Sequence, residues 1–259
     1  MDMKKIYTFG DGFAVGHIWP EWPQLLQAVY PDIEVINTSG IGAGNEFLIN
    51  AVLSKAAIDP VGIYIVQWAH PLRFDKLINT NQWDNIIDTD SVYSKNIVNL
   101  DNNNWWLSSA STQDEVLHYH NFYIENSQAK LRTYNYMLLL KNYFANNKIQ
   151  YHYMATYAVD YLTKTQKNLL LDANWSWHDS WQGMDEYSRQ SKYKNDRQNE
   201  VQPSPNVQLE WIIECLLHKL PLAPDNQRVT QLKKLISNAN WTPFYWDRDA
   251  HWKSLLSKL

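Results

Sequence analysis

Ile6-Tyr7-Thr8-Phe9-Gly10-Asp11-Gly12-Phe13-Ala14-Val15-Gly16 is the stretch on which the reading of the fold turns. An apolar, β-prone run over 4–9 stops at two glycines flanking an aspartate, the pattern of a buried strand entering a tight turn. Three further runs of this kind stand at 34–37, 62–67 and 150–156. Helix-period segments fall between or after them at about 24–30, 45–57, 127–146 and 205–218, with Leu131, Tyr134, Leu138 and Ala145 expected to share one face of the third. Strand–helix alternation of this spacing predicts a central parallel sheet with helices on both faces, a three-layer α/β/α domain with right-handed crossovers.

The 259 residues suffice for one full-sized core. We read residues 1–218 as the α/β domain and 219–259 as an extension that packs back on it or on a partner. Residues 77–121, rich in Asn, Asp and Ser, read as a long insertion over the sheet, and 172–202 as a second long polar loop. A net charge of −4 and the lack of any Lys/Arg run leave no electrostatic pull toward nucleic acid or an anionic membrane. The sequence offers no apolar stretch of the roughly 7–15 residues that a signal peptide uses, and none of the ~18–20 that a membrane span needs. Cys215 is the one cysteine, so no internal disulfide forms. Thirteen Trp and sixteen Tyr serve either as core and loop packing or as stacking surfaces for sugars and protein partners.

In a parallel sheet of this type, ligands collect at the carboxyl ends of the strands. The residues there are Gly10–Gly16 after the first strand, Asn37-Thr38-Ser39-Gly40-Ile41-Gly42-Ala43-Gly44-Asn45 after the second, and Gln67-Trp68-Ala69-His70-Pro71-Leu72-Arg73-Phe74-Asp75 after the third. The first resembles the strand–Gly-Asp-Ser block of SGNH (GDSL) hydrolases, with Gly12 at the place of the serine. Asn37–Gly42 is similar to the second block of that superfamily, and Trp68–Asp75 resembles the Trp-x-x-Pro-x-Arg variant of a branch carried by bacteriophages. Asn199-Glu200-Val201-Gln202-Pro203-Ser204-Pro205 is similar to the closing block Asp-x-x-His-Pro-Ser-Pro.

The resemblance implies a flavodoxin-like SGNH fold over residues 5 to about 218, and a degenerate triad at Gly12, Asn199 and Gln202. In the family a serine attacks an acyl carbonyl, a histidine takes its proton and an aspartate orients the histidine. Glycine has no nucleophile, and glutamine does not titrate near neutral pH. Gly12 and Gly42 remain as backbone donors of an oxyanion-like site, with His70 near the family's oxyanion asparagine. The expectation is a pseudoenzyme acting by binding, a phage-associated structural or glycan-recognising component that is cytoplasmic or virion-associated. Its candidate ligand-binding residues are Asp11, Trp68, Arg73, Asp75, Trp175 and Trp177.

The competing reading is an esterase or carbohydrate deacetylase with a nucleophile or base relocated to Asp11, Ser39 or His70. Capping of the glycine turn is the alternative role for Asp11, helix capping for Ser204, and mutual pairing for Arg73 and Asp75. His118-x-His120 lacks further ligands at metal spacing, and neither glycine-rich loop matches a nucleotide-binding signature. No metal or cofactor is expected.

Overall fold

The computed structural model describes residues 5–15, 20–73, 75–78, 97–100, 103–107, 126–170, 175, 183–191, 203–239, 241 and 248–259. Four strands, β1 (Ile6–Phe9), β2 (Val35–Asn37), β3 (Ile63–Trp68) and a later strand Gln150–Ala155, form a parallel sheet. Their order is β2, β1, β3, then Gln150–Ala155. The chain therefore leaves β1 toward one edge to make β2 and returns past it to make β3. That reversal opens a crevice at the carboxyl ends of β1 and β3.

Strand alternation distributes side chains to two cores. Ile6, Ile63, Ile65 and Met154 face one side, where α1 (Trp22–Val29) packs; Tyr7, Phe9, Tyr64, Val66, Tyr151 and Tyr153 face the other, against α2 (Asn45–Ile58) and α3 (Asn126–Asn147). Because helices cover both faces, β3 is buried at every position, as the unbroken apolar run predicts. The second core is aromatic: Tyr7 stacks on Tyr64 at 5.1 Å, Tyr64 meets Phe144 at 5.6 Å and Phe144 stacks on Tyr151 at 4.8 Å. The α/β class and the parallel central sheet thus agree with the sequence reading.

The face of α3 does not. Tyr134 is buried and Leu138 packs partly against the core, but Leu131 is 51% exposed and Ala145 is exposed, and Ala129, Thr133, Met137, Leu140 and Phe144 complete the buried stripe. Thr133 hid that stripe in the sequence, since its hydroxyl enters the core only because Asn45 Nδ2 donates to it at 3.1 Å. Spanning the start of the expected insertion, β4 (Asp75–Ile78), β5 (Ile97–Leu100) and β6 (Asn103–Leu107) form a separate antiparallel sheet in the order β4, β6, β5. The Gln150–Ala155 strand, β7 in chain order, is followed by α4 (Lys164–Leu170) and by α5 (Met184–Gln190), which lies inside the stretch read as a second loop.

α6 (Pro205–Trp211) begins at Ser204, whose Oγ accepts the Val207 N–H, and continues as wider and then tighter turns to Lys219. Beyond it come α7 (Asn226–Asn238) and α8 (Arg248–Leu256). Val229, Leu232 and Ile236 of α7 join the same core as α1 and α6, and Trp252 and Leu256 of α8 pack against it. Arg228 Nε donates to Ala28 O at 2.6 Å and Tyr30 Oη to Leu222 O at 3.1 Å, so α7 and the turn before it are tied to α1 and its C-terminal end by polar bonds as well. No helix among the described residues is long and apolar enough to cross a membrane.

Candidate functional site at the carboxyl edge of β1 and β3

Asp11 follows β1 directly and is completely buried. Its Oδ1 accepts the Phe13 N–H at 3.0 Å, capping the short 3-10 turn Gly12–Ala14. Its Oδ2 pairs with Arg73 Nη1 at 2.9 Å and accepts from Thr156 Oγ1 at 3.3 Å. A buried carboxylate requires compensation of this kind, because removing it from water costs several kcal/mol unless a cation and hydrogen bonds replace the solvent. Arg73 is 18% exposed, also lies 3.5 Å from Ala43 O, and hydrogen-bonds Tyr157. One guanidinium therefore ties together the loops that follow β1, β2 and β7.

Arg73 and Asp75, two residues apart, do not pair with each other. Asp75 turns instead to the start of α2, where Oδ1 accepts the Gly44 N–H at 2.7 Å and Oδ2 the Phe47 N–H at 2.8 Å. Gly44 precedes the helix without a side chain to cap it, so the carboxylate from β4 supplies the cap. Burial pushes the Asp75 carboxyl up to about 7, against the two backbone donors and Arg73, which pull it down. A side chain at Gly44 would displace this arrangement, since a Cβ there would lie 2.8 Å from Asp75 Oδ2.

His70 is half-buried, with its ring edge-on to Tyr157 at 5.3 Å. Its Nδ1 accepts the Leu72 N–H at 3.2 Å, which leaves the proton of the neutral imidazole on Nε2. Burial lowers its pKa, with Arg73 and Lys130 adding to the effect, so the ring is neutral at physiological pH. Ser39 Oγ is buried and hydrogen-bonds no described residue. Gly42 adopts φ 82°, a left-handed conformation that favours glycine.

Gly10 and Gly12 differ sharply. A Cβ at Gly10 would meet Ala14 Cβ at 2.7 Å and Gln67 Oε1 at 2.9 Å, whereas a Cβ at Gly12 would meet no described heavy atom within 4 Å. The position where the resemblance places a serine thus has room for one.

Two of the candidate ligand-binding tryptophans are corrected by burial. Trp68 and Trp175 are each 1% exposed, and both pack edge-on against Tyr153, at 5.4 and 4.9 Å. Trp175 Nε1 donates to Leu170 O at 2.8 Å. Enclosed rings offer no face to a sugar, so both serve the core. Trp177, Asn199 and Gln202 lie outside the described residues, as do His118 and His120. Among the described residues no group of three His, Cys, Asp or Glu is placed to hold a metal ion.

Sequence reasoning missed the residues that lock this edge from other elements. Asn45 brackets the backbone of Ala69, accepting its N–H at 2.9 Å and donating to its carbonyl at 3.1 Å. Gln67 Oε1 accepts the Trp22 indole N–H at 2.7 Å, and Gln208 Oε1 accepts the Trp22 backbone N–H at 2.7 Å. Thr156 and Tyr157 sit under the amino end of α5, where a Cβ on Gly183 would come within 2.4 Å of the Tyr157 carbonyl carbon. An Asn opening a helix and a Gln inside a strand were the available signals, since polar residues in such positions need partners. No family model matches this chain, and no curated protein or solved structure matches it.

Proposed function

We propose that this chain is an SGNH-hydrolase-like protein that has lost ester-cleaving chemistry and acts by binding. The observation that carries the reading is the Asp11–Arg73 pair at 2.9 Å beside Gly12, which has no side chain to act as a nucleophile. Each group at this edge that was a candidate to replace the triad has another role or is enclosed. Asp11 is buried and ion-paired, Ser204 caps α6, Ser39 Oγ is buried, and His70 uses Nδ1 to hold its own loop. A base must reach the proton that it abstracts, and a nucleophile must be accessible to substrate. The bacteriophage setting follows from the resemblance of residues 68–75 alone, and a glycan or a neighbouring subunit as the bound partner from the abundance of Trp and Tyr in the sequence.

Hydrolysis of p-nitrophenyl acetate and of an acetylated sugar tests the reading. The chain itself is expected to stay at the buffer rate, while Gly12→Ser/Asn199→Asp/Gln202→His gains activity. Hydrolysis by the unmodified chain that disappears on His70→Ala or Asp11→Asn would sink the proposal in favour of a relocated site.

A further inference from the structure

Pro71 is the second residue of a tight turn over His70–Arg73, closed by the Arg73 backbone N–H donating to His70 O at 3.0 Å. The His70 ring makes a further bond inside this turn, and that bond depends on a proton. Nδ1 accepts the Leu72 N–H at 3.2 Å, which an imidazole can do only while neutral, because both nitrogens of the cation are donors. The turn ends on Arg73, whose guanidinium reaches Asp11 at 2.9 Å and also touches Ala43 O and Tyr157. A proton-sensitive bond therefore stands directly before the residue that ties the crevice loops together.

The groups that act on the ring come from each side of it. Tyr157, from the loop after β7, lies edge-on at 5.3 Å; Lys130 belongs to α3, Glu186 to α5 and Arg73 to the same turn. Burial keeps the Tyr157 phenol protonated at neutral pH, so it adds no charge. The other three are two cations and one carboxylate. A protonated His70 would thus be a half-buried cation in surroundings more positive than negative, and its pKa is lowered from 6.5, by burial first and by Arg73 and Lys130 next. Once protonated, Nδ1 points a donor at the Leu72 N–H, another donor. The ring must turn or the backbone must move, and either response frees the Leu72 N–H and takes the ring from its place against Tyr157.

We propose that His70 is a proton-operated latch on the crevice: the neutral ring holds the His70–Arg73 turn against Tyr157, and the imidazolium releases it. The hold is complete above the ordinary imidazole pKa of 6.5 and is lost as pH falls through the lower value that the folded chain gives this ring. As a control on ligand access the latch rests on the reading of this edge as a binding site; release of the turn does not require it. Asp75 titrates nearby with the opposite sign, because burial favours its protonated form, so substitution must separate the two.

NMR of the full chain without ligand, from about pH 8 to about pH 4.5, tests the latch by following the His70 ring resonances and the exchange protection of the Leu72 amide. The ring is expected to titrate below 6.5. Leu72 protection, corrected for the intrinsic pH dependence of exchange, falls about fivefold or more in step with it, as loss of one hydrogen bond implies. His70→Asn keeps the protection throughout, since a carboxamide oxygen accepts the N–H two residues on and does not titrate. His70→Ala lacks it at every pH, and Asp75→Asn retains the transition. The latch is overturned if the ring titrates at 6.5 or above, if Leu72 stays protected while the ring protonates, if His70→Asn loses protection as the parent does, or if Asp75→Asn abolishes the transition. No ester enters this experiment, so its failure leaves the loss of ester chemistry untouched, and hydrolysis by the parent would sink that reading without moving the NMR result.

Discussion

The crevice at β1 and β3 and the cleft between α6 and α7 are both rich in polar side chains, yet they use them in opposite ways. At the crevice Asp11, Asp75, Asn45 and Gln67 are buried and bonded to other parts of the fold. In the cleft Lys233 and Lys234 are exposed to solvent, and Glu210 accepts from Ser191 Oγ at 3.2 Å. Polar residues at a functional edge are therefore no sign of a working site until their partners are known. The crevice groups hold loops together, and the cleft lysines form part of a solvated helix face.

Asp11→Ala challenges that contrast most severely. It strips a buried partner from Arg73 and the cap from Phe13, and is expected to cost about 3–5 kcal/mol in urea unfolding. A cost below about 1 kcal/mol would mean that the pair is not structural. Next in size is Gly10→Ala, whose Cβ would lie 2.7 Å from Ala14 Cβ; about 1–3 kcal/mol is expected in the same experiment.

Asp75 provides a pH test. Its pKa in the fold, raised to about 7, exceeds its ordinary value of 3.8, so the folded state holds this proton more tightly than the unfolded one. The contribution of Asp75 is thus greatest below about pH 4 and falls as pH rises to about 7, then levels off. Stability curves across pH 4–8 should lose that component of their slope in Asp75→Asn, whatever constant offset the substitution adds. An identical slope in both proteins would show that Asp75 is ordinary. The smallest effect belongs to Gly12→Ser, which should shift stability by no more than about 0.5 kcal/mol, because a Cβ there meets no described atom.

β1, β3 and the Gln150–Ala155 strand were readable from sequence because burial on both sheet faces leaves mostly apolar runs, whereas the short edge strand β2 is partly exposed and was marked by its β-branched Val35 and Ile36. The start of α6 was readable from Ser204 and Pro205. The face of α3 was not, because the buried stripe includes Thr133, whose burial depends on Asn45 from another helix. Likewise, proximity in sequence suggested an Arg73–Asp75 pair, whereas the fold brings each to a partner roughly thirty or more positions away, Asp11 for one and the Gly44 amide for the other. Short-range patterns encode elements; pairings across the sheet edge are encoded only in the assembled topology.

A double-mutant cycle on Asp11→Ala and Arg73→Ala, followed in parallel by unfolding free energy and by p-nitrophenyl acetate hydrolysis, tests the central claim most directly. The account predicts strong coupling in stability, of about 1 kcal/mol or more, with hydrolysis at the buffer rate in all four proteins. Hydrolysis by the parent that falls in step with either substitution, without matching loss of stability, would contradict it and identify the pair as catalytic machinery.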